Sequence, residues 1–283
     1  MQTRKENDFV GVFDMTNEEY HRRDGFSRSD LMTFKESPRK LLHSIENDDL
    51  VAETLPQKIG SALHTLILEP DSFDINYIVI PKVAKNTKAG KKLWADTEAI
   101  RGTRTILNQK EYDQIAEIKH SLESQFILKD LIRGATYEQS IFWVDEETQL
   151  LCKARPDIWH PHFVADLKST VSVGFRQFNS SFWKYGYYMQ CAMIREAILK
   201  VRGVEINDFV MIAFEKKKPY CAIPYMVDKE AIDFGEADFK LQLKRIKQCQ
   251  QSQEWPAVWF PPEGQPLLNV PHYAKIEDED SYE

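Results

Sequence analysis

The most regular apolar spacing in the chain lies at Ile59, Ala62, Leu63, Leu66 and Ile67, an i, i+3, i+4, i+7, i+8 stripe that predicts a helix over 59–68, stopped by Pro70. His64 stands beside that stripe. Upstream, Ser29 is placed to cap a short helix to residue 34. Ser37-Pro38 offers a capping hydroxyl and a proline at the first position of a second helix, reaching residue 45. Residues 77–80 read as a short strand and 82–102 as a long loop with a helical piece near Trp94. Tyr112, Ile115, Ile118 and Leu122 mark a further amphipathic helix.

The period then changes. Segments 140–144, 149–159 and 163–170 are rich in β-branched and aromatic residues, with Asp145-Glu146-Glu147-Thr148 and Pro161 as turns between them, a pattern that predicts a three-stranded antiparallel meander. A helix over 182–200, strands over 209–214 and 222–227 and a last helix over 229–250 follow. Helices, sheet, helix, strands, helix is the order of an α/β core, a mixed central sheet flanked by helices. Without repeats or a long Gly/Ser or Pro linker, the chain reads as one domain over 16–275, with an N-terminal extension over 1–15 and an acidic tail over 276–283.

Composition narrows the class. With 283 residues, 42% of them hydrophobic, the chain can bury a large core, yet no apolar run reaches membrane-spanning length. The polar start at residues 1–7 lacks the core of a signal peptide, so a cytoplasmic location and no membrane partner are expected. Cys152, Cys191, Cys221 and Cys249 lie far apart without a Cys-x-x-Cys pair, which argues for reduced, structural thiols. The formal charge of −7 speaks against a generic nucleic-acid coat protein, but it is unevenly spread. Lys82, Lys85, Lys88, Lys91, Lys92, Arg101 and Arg104 share one segment opposed only by Asp96 and Glu98; Lys88, Lys91 and Lys92 are its candidate DNA contacts. Arg22, Arg23 and Arg28 rank below them, and a solvated basic loop fits the same residues.

Chemistry concentrates at Asp157, Asp166 and Lys168. Asp166 and Lys168, two apart on one strand, project from the same face, and pairing with the preceding strand brings Asp157 to them. Carboxylates sharing a pocket are stable mainly when a hard cation neutralises them, which suits Mg²⁺ or Mn²⁺ and phosphodiester hydrolysis. Tyr187 and Gln190, three apart, share a helix face from which they could hold phosphate. Glu138 precedes the first meander strand and fits either a ligand, a supporting acid or a solvated residue. By pattern alone Asp-x-Lys also fits a surface pair, and His64 a core histidine between helix and sheet.

Arg155-Pro156-Asp157, a short gap and Asp166-Leu167-Lys168 resemble the Pro-Asp … (Asp/Glu)-x-Lys signature of the PD-(D/E)xK nuclease superfamily, which has a restriction-endonuclease-like core. Gly60 and His64 are similar to the Gly-x-x-x-His helix of its RecB-like branch. Tyr187-Tyr188-Met189-Gln190 resembles the Tyr-x-x-Gln of the helix after the Lys strand, although relatives often carry Tyr where this chain has Ile194. With Ile141-Phe142-Trp143, Glu254-Trp255-Pro256 and the segment from Leu268 to Ala274, the likeness is to the nuclease domain of exonuclease VIII (RecE) over 16–275.

That resemblance implies metal ligation by His64, Asp157, Asp166 and the main-chain carbonyl of Leu167, with catalysis by Lys168 together with Asp157, Asp166 and Gln190. It implies a 5′-to-3′ exonuclease on linear double-stranded DNA that leaves 3′ overhangs for an annealing partner of the RecT type in recombination, as a tetrameric ring. An endonuclease of the same superfamily, or a DNA-binding module without catalysis, would share the fold. A Cas4-like iron–sulfur nuclease would need a cysteine trio near Gln190, where only Cys191 stands.

Overall fold

The computed structural model describes residues 9–47, 55–84, 86–124 and 133–259. Lys85, the segment 268–274 and the acidic tail lie outside those residues. A strand β1 (Gly11–Phe13) leads into helices α1 (Asn17–Arg22), α2 (Arg28–Glu36), α3 (Pro38–Asn47) and α4 (Leu55–Leu68). After α5 (Phe73–Asn76) come β2 (Tyr77–Ile80), α6 (Lys88–Ile100), β3 (Thr105–Asn108) and α7 (Gln109–Ser124). Short β4 (Thr136–Tyr137) precedes β5 (Ser140–Val144), β6 (Leu151–Ala154), β7 (Ile158–Trp159) and β8 (Phe163–Thr170). Helices α8 (Phe175–Lys184) and α9 (Tyr187–Arg202), strands β9 (Asp208–Glu215) and β10 (Ala222–Met226), and α10 (Lys229–Ser252) complete the core.

The expected α/β core with a mixed sheet is present. The main sheet runs β10-β9-β8-β7-β4, with β8 parallel to β9 and its other pairings antiparallel. Alternation along the central strands feeds two cores. Val164, Met211 and Ala213 pack with α2, α9 and α10 residues such as Phe34, Met189 and Phe239. Ala165, Leu167, Val210 and Ile212 pack on the opposite side with Leu63 of α4 and Ile115 of α7. No helix among the described residues is long and apolar enough to cross a membrane, and all four cysteines are free.

Several local expectations need correction. The predicted meander is split: β5 pairs with both β1 and β6 in a three-stranded sheet, whereas β7 and β8 belong to the main sheet. Pro156, which has no N–H for a ladder, marks the place where the strand leaves one sheet for the other. The long loop at 82–102 is largely α6, capped by the Thr87 hydroxyl accepting from Gly90 N at 3.0 Å. Its lysines are adequate helix formers, and Gly90 sits in the first turn beside the cap, where it does not interrupt the helix. Ser27 rather than Ser29 caps α2, in a reciprocal box with Asp30.

The single helix expected over 182–200 is two. Gly186 has φ +68°, a left-handed conformation that glycine adopts without a Cβ penalty, so the chain turns there and the helix restarts at Tyr187. That restart puts Tyr187 in a first helical turn facing the end of β8.

Candidate metal and active site

The break between β6 and β7 builds the site. Because β7 is only two residues long, the edge of β8 beyond Ala165 has no strand against it among the described residues. Leu167 N donates instead to Asp157 Oδ2 at 2.7 Å. A strand residue's N–H and C=O point to the same side, so the Leu167 carbonyl is aimed at that same open edge. Glu138, between β4 and β5 at φ +50°, donates its backbone N–H to the Asp157 carbonyl at 3.2 Å, which ties the two acids together through the main chain.

From the opposite layer α4 delivers His64, whose Nδ1 lies 3.6 Å from both Glu138 Oε1 and Asp157 Oδ2. One donor atom each from His64, Glu138 and Asp157 falls within 4.8 Å of the others. On β8 the Lys168 ammonium pairs with Asp166 Oδ2, and Gln190 Nε2 of α9 donates to Asp166 Oδ1 at 2.9 Å. Lys168 Nζ stands 4.8 Å from the centroid of the Tyr187 ring.

Charges in this cluster are unequally compensated. Burial, then the neighbouring Asp166 charge, push the Asp157 carboxyl up to about 7, against the pull of His64 and Lys168. Burial alone would depress His64, but Asp157 first and then Glu138 carry its imidazolium up to about 9. Burial raises Glu138 as well, yet His64 and Arg155 outweigh it and hold that carboxyl below its ordinary value. Lys168, disfavoured by burial, is held above its ordinary value by Asp166 and Asp157 and stays protonated. An imidazole nitrogen and two carboxylates around one point, with a third carboxylate adjoining, form a donor set that fits a hard divalent cation.

The structure thus brings His64, Asp157, Asp166, Leu167, Lys168, Tyr187 and Gln190 to one place, and it moves Glu138 from the margin to the centre. Asp166 is not among the three clustered donors; Gln190 donates to its Oδ1 and Lys168 forms an ion pair with its Oδ2. Lys88, Lys91 and Lys92 lie exposed on α6, and Lys92 is paired with Asp96 at 2.8 Å. Arg155, which the sequence offered only as part of the Pro-Asp signature, proves to be buried against Glu138, its Nε donating to Oε2 at 2.7 Å. Arg28 is also nearby, its Nη1 donating to the Tyr185 carbonyl at 3.0 Å with the guanidinium 5.8 Å from the Tyr187 ring.

A helix-borne histidine and two acids at the broken edge of a mixed sheet, beside Asp-x-Lys on its central strand, define a PD-(D/E)xK-type nuclease fold. The chain belongs to the family described as the PDDEXK-like domain of unknown function (DUF3799), which it matches over residues 27–258. A crystal structure from Eubacterium rectale bearing the name "Putative exonuclease" superposes with a TM-score of 0.61 at 15% identity, covering 92% of this chain and 96% of that one. A phage-related exonuclease from Haemophilus somnus 129PT matches at 13% identity over 69% of this chain and 95% of its own, with a TM-score of 0.34. No curated protein sequence matches the chain.

Proposed function

We propose that the protein is a metal-dependent exodeoxyribonuclease that degrades linear double-stranded DNA in the 5′-to-3′ direction. The observation that carries this reading is the convergence of His64, Glu138 and Asp157 beside the Asp166–Lys168 pair. His64, Glu138 and Asp157 would hold Mg²⁺ or Mn²⁺, with Asp166 and the Leu167 carbonyl as further oxygen donors. When bound, the cation supplies Lewis acidity for attack of water on a phosphodiester. Lys168, kept protonated by Asp166 and Asp157, screens the negative charge that develops on the scissile phosphate. Gln190 fixes the Asp166 carboxylate, and the Tyr187 phenol, held above its ordinary value by burial, remains a neutral donor for phosphate.

Action from an end, rather than within the duplex, is supported by the name of the Eubacterium rectale relative. Polarity, the 3′ overhang passed to a RecT-type annealing partner in recombination, and a tetrameric ring rest on the resemblance to exonuclease VIII. The test is Mg²⁺-dependent nucleotide release from end-labelled linear duplex and from closed circular DNA, with EDTA controls. Asp166→Asn and Lys168→Ala should each lower release from linear DNA by on the order of 10²–10³-fold, and the circle should resist the wild type. Wild-type rates in either variant would refute the assigned site, and cleavage of the circle would make the enzyme an endonuclease.

A further inference from the structure

We infer that Arg155 is a positioning residue that sets Glu138 as the third metal donor, an inference that rests on the metal reading above. Two nitrogens of its guanidinium fork are engaged: Nε donates to Glu138 Oε2 at 2.7 Å, and Nη1 donates to Ser140 Oγ at 2.6 Å and to the Met15 carbonyl at 2.9 Å. The side chain is 8% exposed. The fork consumes Oε2 of Glu138 and leaves Oε1 directed at His64 Nδ1, 3.6 Å away. Since Glu138 sits at φ +50° outside any strand, its backbone is anchored to the site only through its N–H to the Asp157 carbonyl among the hydrogen bonds of the described residues. A carboxylate on such a bulge would sample several rotamers; the planar two-sided grip of a guanidinium selects one.

The same grip reaches residue 15, so the link between β1 and α1 and the metal donor are fastened by one side chain. Arg155 lies two residues before Asp157 and touches no donor atom other than Glu138's, and its effect should therefore pass through Glu138 alone. Lysine keeps the charge but can reproduce only part of the fork.

The experiment is a Mn²⁺ titration of the DNA-free protein, followed by paramagnetic resonance of free Mn²⁺, on wild type, Arg155→Lys, Glu138→Gln, the double variant and Asp157→Asn. Ser140→Ala serves as a milder second probe. Arg155→Lys should weaken Mn²⁺ binding about ten- to hundred-fold, and Ser140→Ala in the same direction by a smaller factor. In the Glu138→Gln background the Arg155→Lys change should add little further loss. Cleavage by Arg155→Lys should need correspondingly more Mn²⁺ while its kcat at saturating Mn²⁺ stays near wild type, a split that mere loosening of the fold would not produce. Unchanged Mn²⁺ affinity in Arg155→Lys, or an undiminished Arg155 effect without the Glu138 carboxylate, overturns the inference while leaving the site reading intact. Wild-type Mn²⁺ binding by Asp157→Asn overturns the site reading itself.

Discussion

Two clusters of buried charge in this molecule are resolved in opposite ways. Around Lys240 of α10, the ammonium pairs with both Asp145 and Glu196, the Thr148 N–H and hydroxyl cover Asp145 Oδ2 at 2.8 and 2.6 Å, and Trp143 Nε1 donates to Glu196 at 3.2 Å. Burial raises Asp145, but Lys240 and Thr148 more than reverse that, holding its carboxyl below its ordinary value. At the β8 edge, Arg155 is taken by Glu138 and Lys168 by Asp166, which leaves Asp157 with one backbone N–H and an imidazole 3.6 Å away. In the first cluster both acids are covered directly by hydrogen bonds and a lysine; in the second Asp157 accepts only the Leu167 N–H among the hydrogen bonds of the described residues, with its carboxyl pushed up at the place where a cation would bind. Compensation, rather than burial or number of charges, separates the two roles.

Swapping one charge in each cluster breaks this contrast most forcefully. Lys240→Met strands two acids, Asp145 at 1% exposure, and should cost about 2–4 kcal/mol, less than for a fully buried pair because the Lys240 side chain is 27% exposed. Its kcat should stay within about twofold, since nothing at the Lys240 cluster touches the open one. Asp157→Asn should do the reverse: metal-free stability unchanged or raised by on the order of 1 kcal/mol, with nucleotide release lost. Urea unfolding in EDTA alongside a release assay reads both. If Asp157→Asn proves as destabilising as Lys240→Met, the second cluster is as closed as the first.

The pH dependence should differ in sign between the clusters. Asp157 moves from 3.8 to about 7 on folding and His64 from 6.5 to about 9, so the folded protein holds protons the unfolded chain has released. Stability of the metal-free protein from this site is full at low pH and is lost as pH rises, through about 7 for Asp157 and about 9 for His64. Asp145, shifted down, contributes in the other direction: its stability is present above the ordinary carboxylate range and is lost as the solution is acidified. Because ligation needs the protons gone, the rise in Tm produced by Mn²⁺ should grow from pH 6 to pH 9. Thermal melts with EDTA or Mn²⁺ across that range test it, and a Mn²⁺ increment that is flat or falls with pH would show that the open cluster does not take the metal.

How far the site was legible follows the range of the interactions that build it. Asp166 and Lys168 were readable because a period of two is local, and the helix bearing His64 because its apolar stripe lies within ten residues. Glu138 was readable only as a ligand, a supporting acid or a solvated residue, and Arg155 only as part of the Pro-Asp signature. Glu138 stands on a positive-φ bulge whose register with Asp157 is a long-range backbone bond, and Arg155 reaches Glu138 while held by partners at positions 15 and 140. The helix break at Gly186 was hidden for another reason: its left-handed φ of +68° does not show in the apolar pattern that carries on across it. The splitting of the meander did leave a signal, Pro156 inside a predicted strand, that ordinarily demotes the strand it interrupts.

The smallest expected effect lies on α6, far from either cluster in chemistry. Its lysines fit a DNA-tracking face or a solvated one, and their helical setting makes the two distinguishable. Lys92 is already paired with Asp96, an exposed i, i+4 contact of the kind that contributes little and screens easily. Lys88 and Lys91 are exposed without such a partner among the ion pairs of the described residues, and they are the better candidates for phosphate. Each phosphate neutralised releases about 0.9 counterion, so Lys88→Gln with Lys91→Gln should flatten the log–log salt slope of duplex binding by roughly 1–2. Binding is measured with the uncleaving Asp166→Asn variant between 50 and 200 mM salt. A slope equal to that of the parent makes α6 a solvated face and leaves the duplex path to be sought nearer Arg28 and Tyr187, where a guanidinium already stands beside the reacting end of β8.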